Sequence, residues 1–127
     1  MLETGVSVQG SGDRDQKTEV TKVESYIQVT TTTKKKEDAE KIAISLVERK
    51  IAACAQIAGP IISIYRWKGK IETAEEWQCV IKSRKNLYDE IEKAIRAVHT
   101  YEVPEIIAVP IVAGSVDYLE WIDSELV

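Results

Sequence analysis

Residues 51–83 read IAACAQIAGPIISIYRWKGKIETAEEWQCVIKS, and how they are read decides the fold. Two long β-type runs flank Lys68-Gly69, a pair suited to a tight hairpin turn because glycine takes positive φ without strain. With a two-residue turn, paired positions sum to a constant, so Trp67 faces Lys70 and Tyr65 faces Glu72. Gly59-Pro60 interrupts the first run. A proline inside a strand needs an edge or a bulge, so the strand should bend there. On the return run Trp77, Cys79 and Ile81 share one face. The pairing sets Cys79 opposite Ala58, four positions from Cys54. That is roughly 13 Å along the strand, too far for a disulfide.

Working outward, each side of the hairpin carries a helix and a strand. Upstream, SYIQVTTTT alternates, with Ile27 and Val29 on one face, and reads as a first strand. KEDAEKIAISLVERK then places Ala39, Ile42, Ala43, Leu46 and Val47 at helical spacing, with acids at its start. Downstream, Asn86 is a candidate cap with Asp89 three residues on. Leu87, Ile91, Ala94, Ile95 and Val98 form one stripe, and Val103-Pro104 should stop that helix near His99. EIIAVPIV is apolar at nearly every position, as in a strand covered on both faces. After Gly114, VDYLEWIDSELV reads as a short C-terminal helix.

The element order β-α-β-β-α-β is that of a ferredoxin-like α+β sandwich, with both main helices on one sheet face. Only the short C-terminal helix is left for the other face. A half-covered sheet with a long apolar hairpin implies association between copies. Residues 1–24 are polar and contain Gly and Ser, and they read as a flexible N-terminal tail ahead of a single domain over 25–127.

Composition narrows the function classes. The chain has 127 residues, 44% hydrophobic and 30% charged, with a formal net charge of −4. That suits one folded domain and gives no basic surface for nucleic acid. Lys34–Lys36 run straight into Glu37-Asp38 and read as a solvated helix entrance. No stretch is long enough to span a membrane and no signal-peptide core is visible, so a cytoplasmic protein with reduced Cys54 and Cys79 is expected. Motifs for phosphate loops, nucleophile elbows and paired-His zinc sites are absent, so no enzyme is expected.

ERKIAACAQI, SIYRWKGKIE, VIKSR, HTYEVPEIIAVPI, Gly114 and YLEWI occur in order, and together they resemble the CutA divalent-cation tolerance family. The resemblance covers about residues 25–125. It implies a ferredoxin-like fold similar in architecture to PII-type signalling proteins, and a tight homotrimer whose hairpins, here 61–83, reach onto neighbouring subunits. Tyr65, Trp67 and Trp77 are then the candidate trimer-interface residues. The family is named for bacterial copper tolerance and its members are described as binding divalent metal ions. Eukaryotic relatives are connected with acetylcholinesterase anchoring, which implies a protein partner.

For the site, the resemblance implies Cys54 and His99 as metal ligands. Thr30 stands near the place where some relatives carry another cysteine, and a hydroxyl is a poor soft-metal ligand. Glu102 can add an oxygen ligand, so the candidate metal set for a weakly bound copper-type ion is His99, Cys54 and Glu102. The structural alternative is that His99 caps its helix and bonds a carbonyl or a nearby carboxylate. Tyr101, Lys82 and Trp67 are candidate cleft residues, with an ion pair of Glu102 to Lys82 or Arg84 as the structural counterpart. Trp67, beside an exposed turn, reads first as an interface residue and second as a stacking platform. Two functions follow: a homotrimer binding divalent ions at an intersubunit cleft, or a PII-like small-ligand sensor or scaffold without physiological metal.

Overall fold

The structure, a computed structural model, describes residues 25–127, so the tail expected over 1–24 lies outside the described residues. The order is β1 (Tyr26–Thr33), α1 (Lys36–Glu48), β2 (Cys54–Trp67), β3 (Lys70–Arg84), α2 (Tyr88–Val98), β4 (Ile106–Pro110) and α3 (Val116–Glu125). One antiparallel sheet has the strand order β2-β3-β1-β4. This is the ferredoxin-like α+β arrangement with a long hairpin and a short final helix.

Alternation in the strands and the stripes on the helices build the main core together. Ile27, Val29, Cys79 and Ile81 point to the face packed by Ala39, Ile42, Ala43 and Leu46 of α1 and by Ile91 and Ile95 of α2. Truncating Ile91 or Ile95 to alanine would remove about 2–5 kcal/mol. Val47, grouped by spacing with the core stripe of α1, is exposed instead. The opposite sheet face is covered at one end by α3, where Leu119 and Ile122 pack with Tyr26 and Ala53. Arg84 reaches Asp123 at 3.2 Å and ties β3 to that helix.

The hairpin pairs as its turn chemistry dictates. Trp67 faces Lys70 and Tyr65 faces Glu72. Lys68 (φ 51°) and Gly69 (φ 80°) both take positive φ, the requirement of a type I′ turn. The bend falls at the expected place, as a bulge between Ala58 and Ile61. It slips the register by one, so Cys79 faces Ile57 rather than Ala58, and Cys54 faces Lys82. Both cysteines are free.

Two expectations are corrected. Asn86 does not cap α2: Lys85–Leu87 wind into a 3₁₀ turn, anchored by the Lys85 N–H on the Ser25 carbonyl, and α2 begins at Tyr88 with no side-chain cap. β4 is not covered on both faces, because it is an edge strand whose Ile107 and Val109 stand about half exposed beside Thr30 and Gln28 of β1. Ile62, Ile64 and Ile71 on the hairpin are also exposed. The apolar character of these strands therefore has no explanation inside one protomer.

Candidate functional site

The site is built where the hairpin leaves the sheet. Antiparallel register puts Ser63, Tyr65 and Trp67 of β2 on one hairpin face, and the pair Ile61–Glu76 adds the Glu76 side chain to it. The α2–β4 connection supplies the facing wall with Tyr101, Glu102, Val103 and Glu105. With Thr32 and Ile64, these residues enclose a cleft of about 560 Å³.

His99 shapes that wall. Its backbone N–H bonds the Ile95 carbonyl at 2.9 Å and closes α2. The Tyr101 N–H donates to Nδ1 at 3.1 Å, so Nε2 carries the proton and donates to the Thr32 carbonyl at 2.8 Å. The imidazole thus spans from helix end to β1 with both nitrogens engaged. It also packs against the Tyr101 ring, centroids 4.9 Å apart. Tyr101, held in this way, donates its hydroxyl to Glu76 Oε2 at 2.7 Å.

Glu76 is 7% exposed, and its hydrogen-bond partner among the described residues is that phenol. Among the described residues the ion pairs are Arg84–Asp123 and Arg96–Glu92, and neither involves Glu76. The Glu76 carboxylate acts on its neighbours. Tyr101 is held well above the usual tyrosine range by burial first, then by its hydrogen bond to Glu76 and the Glu76 charge. Glu105 is raised by burial and then by the same charge. The cleft is therefore a negative, partly aromatic pocket: carboxylates at its floor and rim, Tyr65 and Trp67 on one side. Lys68 Nζ already lies 5.6 Å from the Trp67 ring centroid, a cation–π contact at the cleft mouth.

Of the residues singled out by sequence, Tyr101, Glu102, Trp67 and Tyr65 come together here. The others do not. Lys82 lies opposite Cys54 and Gln28 and donates to Gln56 Oε1 at 2.8 Å. Cys54 is half-buried beside Tyr118, which is raised by burial and then by that cysteine. The row of Gln28, Lys82 and Cys54 is four residues along β1 from Thr32, where His99 bonds, or about 13 Å. Within one protomer, then, His99, Cys54 and Glu102 do not form a metal site. Among the described residues no three His, Cys, Asp or Glu side chains gather closely enough to hold an ion. Glu102 also lacks the expected pairing with Lys82 or Arg84, which bond Gln56 and Asp123 instead. Trp77 packs on its own protomer's core, with its ring against Gly59 and Lys36 Nζ 5.7 Å from the ring centroid.

Sequence reading missed Glu76 and Glu105. Glu76 stands in the run Glu75-Glu76, which looks like a solvated strand face, and nothing local announces a tyrosine 25 residues away.

The fold and the cleft define a ferredoxin-like α+β protein with an extended hairpin and an acidic, aromatic pocket along one side of it. Comparison with known proteins makes the identity specific. The family profile of the CutA1 divalent ion tolerance protein matches residues 27–125, and the chain belongs to that family. It is 42% identical over 96 residues to the chloroplastic CutA 1 protein of Oryza sativa, a match covering 76% of this chain and 54% of that protein. The divalent-cation tolerance protein CutA of Archaeoglobus fulgidus is 44% identical over 87 residues, 68% of this chain and 84% of that one. The chain thus spans little more than half the length of its plant relative. The crystal structure of CutA from Xylella fastidiosa superposes with TM-score 0.78 at 35% identity, covering 81% of this chain and 99% of that one. CutA1 from Oryza sativa superposes with TM-score 0.79 at 38% identity, covering 84% and 97%.

Proposed function

We propose that this protein is a non-catalytic homotrimer of the divalent-cation tolerance family that captures cations in the cleft along one side of the hairpin, with a neighbouring subunit completing the site. The observation that carries this reading is Glu76, a buried carboxylate that forms no ion pair among the described residues and lines a pocket that also holds Glu105 and Glu102. The exposed apolar residues of β4 and the hairpin support assembly, because a lone protomer leaves them in water.

The donor chemistry differs from the cysteine–histidine set implied by sequence. Both His99 nitrogens are occupied, so His99 acts as a positioning residue for Tyr101. A divalent ion would meet carboxylate and hydroxyl oxygens, a set suited to hard cations and weak for copper. The reading concerns the site and is independent of compartment: the rice relative is named chloroplastic and a solved Archaeoglobus fulgidus relative is titled periplasmic.

Calorimetric titration with Mn(II) and Cu(II) tests it, using wild type, His99→Ala and Glu76→Gln. Saturable heat should be lost in Glu76→Gln and largely kept in His99→Ala. Heat lost only in His99→Ala would restore the imidazole site and overturn the carboxylate one.

A further inference from the structure

α3 packs apart from the rest of the core. The sheet, α1 and α2 share one buried cluster, whereas Leu119 and Ile122 of α3 join Tyr26 and Ala53 in a second, smaller one. Leu126 borders both. A helix of 10 residues is too short to persist in water by itself, so α3 keeps its shape only while docked. Its first turn has no side-chain cap. The connection 111–115 that leads into it is neither helix nor strand, and Val112 there is 80% exposed.

Polar ties secure the far end of this helix. The Tyr26 hydroxyl and Arg84 Nη1 both donate to the Asp123 carboxylate. Arg84 Nη2 donates to the Val127 carbonyl at 2.7 Å, and the Val127 N–H donates to the Lys50 carbonyl at 3.0 Å. Arg84 thus grips α3 and the strap 126–127 that follows it. The side chains of the Arg84–Asp123 pair are 25% and 32% exposed, so water competes for these bonds as it cannot inside the main core. Arg84 Nε is buried without a hydrogen-bond partner, so the grip uses only the outer end of the guanidinium.

We propose that α3 is a lid, hinged on 111–115 and latched by Arg84 through Asp123 and Val127, that opens as one unit while the sheet, α1 and α2 stay folded. A small cluster held by partly exposed bonds is the kind of unit that opens below the global unfolding free energy. Opening uncovers the end of the sheet beneath it. Tyr26 and Ala53 are buried there, and Cys54 stands beside Tyr118 of the lid. Closed, α3 restricts access to that thiol from one side; open, it leaves the thiol to soft electrophiles. The lid lies at the other end of β1 from the carboxylate cleft, and the proposal does not rest on cation binding.

Hydrogen exchange of the native protein is the test. Amides of 119–125 should exchange about tenfold or more faster than those of 27–31 and 78–81, as a separately opening unit does. Arg84→Met should speed the lid amides by a further factor of about ten to a hundred, the range of one hydrogen bond to a charged group, and leave the strand amides unmoved. Asp123→Asn, which keeps the side-chain shape, should act in the same direction. Ala53→Cys in a Cys54→Ser background puts a reporter thiol under α3. Its labelling by iodoacetamide should rise with Arg84→Met while Cys79 stays protected, and circular dichroism checks that the variants fold. Lid amides that exchange only together with the strand amides would overturn the proposal. So would rates unmoved by both latch substitutions, or a reporter thiol and Cys79 that become reactive together, since α3 is then a fixed part of the core.

Discussion

Removing one hydroxyl at the cleft floor, Tyr101→Phe, tests how strongly its hydrogen bond to Glu76 holds the cleft together. The bond at stake runs from a neutral phenol to a carboxylate at 2.7 Å, and the acceptor is only 7% exposed. Hydrogen bonds to charged groups contribute roughly 1.5–3 kcal/mol, so Tyr101→Phe should cost about that much. In a Glu76→Gln background the acceptor is a neutral amide oxygen, and the same substitution should cost roughly 0.5–1.5 kcal/mol. The double-mutant cycle should therefore show a coupling of about 1 kcal/mol. Urea unfolding at one fixed protein concentration is the assay, because stability depends on concentration wherever copies associate. A loss below about 0.3 kcal/mol, or equal losses in both backgrounds, would refute the reasoning: the Tyr101–Glu76 bond would then contribute nothing particular to the fold.

Three further outcomes follow from the geometry. Gly59→Ala should destabilise by about 1–3 kcal/mol and shift tryptophan fluorescence, and a neutral result would mean the bulge relaxes freely. The reason is that a Cβ at Gly59 would sit 2.8 Å from the Trp77 ring and 3.1 Å from the Glu76 carbonyl. Cys79 is fully buried and its thiol is pushed up to about 11, so iodoacetamide should spare it in the native protein and label it once unfolded; native labelling as fast as at Cys54 would show that β3 opens readily. Glu105 is raised by burial and by the Glu76 charge, so its contribution to stability is present below the ordinary carboxylate range and is lost as pH rises through the raised folded value. Glu105→Gln should then gain stability over wild type as pH approaches neutrality and match it in acid; a pH-independent difference in urea midpoint would rule out the linkage.

The frame of the fold was legible because its signals are local and agree with one another. Ile27 and Val29, and Trp77, Cys79 and Ile81, fall at strand spacing, and both sets turn to the helices. Lys68-Gly69 set the hairpin register, and Gly59-Pro60 marked the bulge. Three details escaped because tertiary context decides them. The Ser25 carbonyl draws Lys85 into a 3₁₀ turn, which moves the helix start past Asn86. Val47 lies just off the core-facing arc of α1. β4 reads as a buried strand because nearly every position is apolar, yet it lies at the sheet edge with Ile107 and Val109 exposed. Half of the site was visible as well: HTYEVPE marks the wall carrying Tyr101 and Glu102, and the aromatic hairpin tip marks the other. The structural reading of His99, as a cap whose imidazole bonds a carbonyl, is the one the hydrogen bonds describe. Glu76 was out of reach, since its role arises from burial and from a contact 25 residues away.

The central claim is that cations enter the carboxylate cleft and not the cysteine–histidine positions. The most direct measurement is anomalous diffraction from crystals of the full chain soaked in Mn(II) and, separately, Cu(II). The account predicts a peak in the cleft, within about 2.0–2.6 Å of carboxylate oxygens of Glu76, Glu102 or Glu105. A peak bonded to Cys54 Sγ or to a ring nitrogen of His99, with the cleft empty, would contradict it.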